Sequence, residues 1–148
     1  MNPLDLLFPD LQRNGYQITS PRDREYNCIA WAAGDTTRWW WPDPAEEGYW
    51  PAAAPVQETL VAFVAAFATL GFGRTDSETL EPGVEKVALF AKDGVKPTHA
   101  ARQLPSGRWT SKMGRSEDIE HDLRDLEGDV YGAVVVVLQR PILDGGGV

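Results

Sequence analysis

A chain of 148 residues with 43% apolar residues and a formal net charge of −8 has the length and composition of one compact domain with a substantial core. The acidic balance argues against the basic face needed to bind a phosphate backbone, so no nucleic-acid partner is expected. No run is long and apolar enough to span a bilayer, residues 133–138 having strand length, and residues 1–5 lack a secretory leader pattern, so no membrane partner and a cytoplasmic location are expected.

The first quarter is dense in turn-forming residues. It leads through Pro21-Arg22-Asp23-Arg24 into Tyr26-Asn27-Cys28-Ile29-Ala30-Trp31-Ala32. Asn27 suits a helix N-cap and Gly34 a stop, which predicts a short helix with Cys28 at its first position. Unpaired N–H groups and the helix dipole at that position favour a thiolate, predicting a thiol pKa below the free value of about 8.5. As the chain's single cysteine, Cys28 can form neither an intrachain disulfide nor a cysteine cluster for metal. It is either a buried filler or a nucleophile.

The run Trp39-Trp40-Trp41 opens a proline-rich stretch that also carries Trp50 and reads as a long ordered loop. Its four tryptophans either form a satellite core on the Cys28 helix or wall a substrate cleft. Residues 56–70 read as a helix, with Val56, Leu60, Phe63, Val64 and Phe67 on one apolar stripe. From Glu85 the period becomes two. Strands are predicted over residues 87–91, 98–104 and 108–113 as an antiparallel meander, and a fourth over 131–139. Between them, residues 117–127 read as a helix with Ile119, Leu123 and Leu126 inward and His121 on the opposite face. The basic residues Lys92, Lys96, Arg102, Arg108, Lys112 and Arg115 read as a solvated face. The expected fold is a single α+β domain over residues 1–143, with helices packed on an antiparallel sheet of about four strands. A flexible glycine-rich tail follows over 144–148.

A nucleophilic cysteine needs a base, and the chain has two histidines. His99, near the start of a predicted strand, is the leading candidate; His121 is the rival base or a substrate contact. Ser111, roughly across the next hairpin from His99, can orient the imidazole, with Asp118 as the alternative. The Asn27 side chain and the Cys28 main-chain N–H are candidate oxyanion donors. No metal-ligand spacing and no phosphate-binding glycine loop occurs, so no metal and no cofactor are expected.

In order and type, Tyr26-Asn27-Cys28, Pro97-Thr98-His99-Ala100 and Trp109-Thr110-Ser111 resemble the papain-like superfamily, in particular NlpC/P60- and CHAP-type cysteine peptidases and amidases. In that superfamily a cysteine at a helix start is followed by a histidine opening a strand and a polar residue on the next strand. The resemblance spans residues 26–139 coarsely and rests on these few positions, with Ser111 standing where histidine, asparagine or an acid is usual. The strings 27–32 and 97–112 also look like those of an uncharacterised family of small bacterial domain proteins. The resemblance implies Cys28, His99 and Ser111 as catalytic residues. Trp39, Trp40, Trp41, Trp50, Gln103, Lys112 and His121 are the candidate residues of a substrate cleft, with a protein or peptide as the expected substrate or partner. The expected activity is thiol-dependent hydrolysis of a peptide, isopeptide or other amide bond, with acyl transfer or glutamine deamidation as variants on the same pair. The competing expectation is a non-catalytic domain whose tryptophan-rich surface binds a protein partner.

Overall fold

A computed structural model describes residues 3–45 and 47–142; the tail at 144–148 lies outside the described residues. Two short helices, α1 (Pro3–Leu7) and α2 (Pro9–Asn14), lead into strand β1 (Gln17–Ser20) and helix α3 (Cys28–Ala33). Helix α4 (Leu60–Ala68) and strands β2 (Gly73–Thr75), β3 (Val84–Lys92), β4 (Lys96–Gln103), β5 (Trp109–Lys112) and β6 (Asp118–His121) follow. A 3-10 turn (Leu123–Leu126) and strand β7 (Ala133–Pro141) complete the described chain.

The strands form one sheet of seven in the order β1-β6-β5-β4-β3-β7-β2, with every pairing antiparallel. The meander β3-β4-β5 is there, and β7 is interior between β3 and β2. The sheet is wider than the expected four strands because β1 and β2 add to its edges and residues 118–121 are strand rather than helix. Ile119 and His121 share one face while Asp118 is buried on the other, a period of two that the coincident Ile119-Leu123-Leu126 spacing conceals.

Two cores cover the two faces. Cys28, Ile29, Trp40, Phe63, Phe67, Val87, Leu89 and Ala100 build the first, under α3 and α4. Leu4, Phe8, Leu11, Phe90, Ala101, Trp109 and Ile119 build the second, under α1, α2 and the 3-10 turn. Helix α4 starts at Leu60 rather than at residue 56, because the Thr59 side chain caps it by accepting from the Ala62 N–H. Val56 is left outside and half exposed.

One irregularity positions the site. β4 and β5 pair only at Arg102–Thr110 and Gln103–Trp109, so the two strands part toward Thr98 and Lys112. Helix α3 packs on both strands across this parting. Trp31 fastens it there, donating from Nε1 to Thr110 Oγ1 at 3.0 Å beneath the Arg102 guanidinium, 5.0 Å from its ring.

Candidate active site

Local sequence places Cys28 as expected. Asn27 Oδ1 accepts from the Ala30 N–H at 3.1 Å, and Gly34 closes the helix in the left-handed region at φ 85°. Cys28 lines a pocket of about 350 Å³ with Asn27, Trp39, Trp41, Thr98 and Tyr131. A larger cavity of about 850 Å³ beside α1 shares Tyr131 with it and is bordered by Arg24 and Arg115.

The thiol itself departs from expectation. Burial pushes the Cys28 pKa up to about 11, although the main-chain N–H groups of Ala100, Ile29 and Cys28 and the charge of Lys112 pull the other way. A six-residue helix offers a partial charge at its start, but a thiolate there must first give up its water. Desolvation prevails.

His99 is buried on β4 between the Tyr131 ring, stacked at 4.1 Å, and the Phe90 ring, met edge-on at 5.2 Å. Its Nε2 is bonded to Ser111 Oγ at 2.9 Å, the contact expected of an orienting residue. Ser111 Oγ is bonded in turn to His121 Nε2 at 2.7 Å, and His121 Nδ1 donates to the Asp122 carbonyl at 2.8 Å. The chain of three side chains is thus wholly buried, and it ties β4, β5 and β6 together. Burial holds His99 well below the ordinary imidazole value, with His121 adding to the effect. Burial likewise lowers His121 to about 4. His99 Nδ1 has no hydrogen-bond partner among the described residues.

Cys28 and His99 have two neighbours in common and no hydrogen bond between them. Ala100, whose N–H acts on the Cys28 sulfur, is the residue after His99. Tyr131 stacks on His99 and also lines the Cys28 pocket, where the thiol's charge adds to burial in raising the phenol.

The remaining expected site residues separate. His121 is not on an outer helix face but buried behind Ser111. Asp118 accepts from the hydroxyls of Tyr26, at 2.8 Å, and Ser20, and bonds neither histidine among the described residues. The Asn27 amide is tied to the neighbouring loop, since Oδ1 also accepts from the Trp40 N–H and Nδ2 donates one of its two hydrogens to the Trp40 carbonyl. Lys112 is not solvated. Its ammonium is buried and donates to the carbonyls of Asp23, Gly114 and Ser116 at 2.6, 2.9 and 2.5 Å, clamping the loops beside the pocket. Gln103 lines a separate cavity with Leu80 and Arg102. Of the tryptophans, Trp39 and Trp41 wall the Cys28 pocket, Trp40 is buried and donates to Asp35, and Trp50 packs on Phe63. Sequence reasoning missed Tyr131 and Thr98 as site residues; nothing in their local pattern distinguishes them from ordinary strand-flanking positions.

A family described as a domain of unknown function (DUF7689) matches residues 17–139, a span from β1 into β7 that contains Cys28, His99, Ser111 and His121. The chain belongs to the DUF7689 family. No curated protein and no solved structure matches it. Among the described residues of this DUF7689 chain no helix is long and apolar enough to cross a membrane, and no cluster of three or more metal-binding side chains occurs.

Proposed function

We propose that the chain is a thiol-dependent hydrolase of an amide bond, with Cys28 as nucleophile, His99 as proton acceptor and Ser111 orienting the imidazole. One observation carries this reading: a buried imidazole has one nitrogen held by a hydroxyl and the other bare, on the strand residue next to the amide that meets the thiol. A structural histidine in a dry core normally satisfies both nitrogens. The papain-like order of cysteine helix, histidine strand and polar residue on the next strand belongs to the same proposal.

In the first step Cys28 Sγ attacks the carbonyl carbon, and its proton passes to His99 Nδ1. The Cys28 main-chain N–H, at a helix position without an intrahelical acceptor, meets the developing oxyanion. His99 then protonates the leaving nitrogen as the C–N bond breaks, giving a thioester. Water, losing its proton to Nδ1, attacks the thioester and returns the acid product and the free thiol. Because the resting thiol and imidazole are both neutral, the proton moves as attack begins rather than beforehand. Catalytic contacts are commonly loose without substrate, so the absence of a Cys28–His99 hydrogen bond at rest is compatible with this chemistry.

The test is acylation by a peptidyl aryl-ester probe, followed as a mass increment on Cys28. His99→Gln keeps an amide to meet Ser111 but has no basic nitrogen. It is expected to slow acylation at least about a hundredfold. Equal rates in wild type and in a folded His99→Gln protein would refute the proposal.

A further inference from the structure

We infer that His121 is a positioning residue: through Ser111 it fixes the tautomer of His99, so that Nδ1 rather than Nε2 is the proton-accepting nitrogen. The assignment follows from what each atom in the buried chain can do. The Asp122 carbonyl can only accept, so His121 Nδ1 carries a proton. A neutral imidazole with a protonated Nδ1 has a bare Nε2, which must accept from its neighbour. That neighbour is the Ser111 hydroxyl, whose single proton is thereby committed to His121. Ser111 Oγ then faces His99 Nε2 with a lone pair, so His99 Nε2 donates. His99, also neutral, is left with a bare Nδ1, the atom that has no partner among the described residues.

A carbonyl at one end of the chain thus dictates the protonation pattern at the other. Burial makes the pattern obligatory, because a reversed bond anywhere along it would set two donors or two acceptors against each other without water. The tautomer assignment stands on the hydrogen bonds together with the neutrality that burial imposes on both rings; its role in positioning a base rests on the hydrolase reading above.

Nitrogen-15 NMR of the histidine rings tests it directly, since protonated and bare ring nitrogens resonate apart. Wild type is expected to show His99 as Nε2–H and His121 as Nδ1–H. In His121→Phe the Ser111 hydroxyl has only His99 Nε2 to donate to, so His99 should switch to Nδ1–H and acylation of Cys28 should fall on the order of a hundredfold. In His121→Gln the side-chain carbonyl can again accept from Ser111, so both tautomer and rate should return toward wild type. If His121→Phe does not fold, Ser111→Ala takes its place, with loss of the Nε2–H preference expected. An Nδ1–H His99 in wild type, or an unchanged tautomer in the folded variant, overturns the inference. Tautomers as assigned, together with a wild-type Cys28 that no acyl probe labels, would instead refute the hydrolase reading and, with it, the positioning role.

Discussion

Alkylation of Cys28 as a function of pH probes the balance between burial and the helix N-terminus. The thiol stands at about 11 against an ordinary value of 9.0. Because each pH unit below the pKa lowers the thiolate tenfold, about one molecule in ten thousand carries it at pH 7, roughly a hundredfold fewer than for an unperturbed thiol. The assay is the iodoacetamide rate followed by mass spectrometry between about pH 6 and pH 10, beside a short unstructured peptide containing one cysteine. The peptide should level off near its free value of about 8.5. Cys28 should instead gain about tenfold in rate per pH unit with no plateau below about pH 10. A plateau by about pH 8 would show a preformed thiolate. It would mean that the three N–H groups around the sulfur outweigh desolvation, refuting the argument from burial. The same plateau would replace proton transfer during attack with a resting thiolate–imidazolium pair.

Acid should destabilise the fold through the two buried imidazoles. Their folded pKa values lie below the unfolded one, so stability is intact above about pH 6.5 and is lost as pH falls. Falling from 6.5 to about 4, His121 alone contributes a loss of about 3 kcal/mol. Denaturant titrations at about pH 7.5 and pH 4.5 measure this, and equal stabilities would contradict the burial of both rings. Gly132→Ala should cost at least about 3 kcal/mol, because the added Cβ would lie 2.1 Å from the Ala91 carbonyl oxygen at a residue with φ of +76°. A thermal midpoint within about 2 °C of wild type would contradict that packing of the β7 entry against β3.

The features legible in the sequence were those encoded by neighbours. Asn27 and Gly34 delimit α3 within a few residues, and the turns Lys92-Asp93-Gly94 and Pro105-Ser106-Gly107 fix the β3-β4-β5 meander. That meander places Ser111 beside His99, so the His99–Ser111 contact could be read from strand spacing. What escaped depends on distant partners. Asp118 to His121 is held as a strand between β5, its hairpin neighbour, and Gln17 to Ser20 from about a hundred positions upstream, and the polar β1 has no alternation to announce it. Lys112 looks solvent-bound until the Asp23 carbonyl arrives to receive it. The thiol's direction was misread for the same reason: the helix start is local and visible, whereas the shell that excludes water from it is not.

The parting between β4 and β5 makes the sheet mechanically two ribbons, β1-β6-β5 and β4-β3-β7-β2, joined by two register pairs and by the hairpin bond from the Leu104 N–H to the Arg108 carbonyl. Side chains supply further fastening, and the His99–Ser111 bond is one of those rivets, beside Trp31 to Thr110. The residue proposed to move protons therefore also helps hold the joint closed, through its other ring nitrogen. Any change that spreads the ribbons would pull His99 away from the Ser111 hydroxyl, so the proposed chemistry would depend on the tightness of one seam.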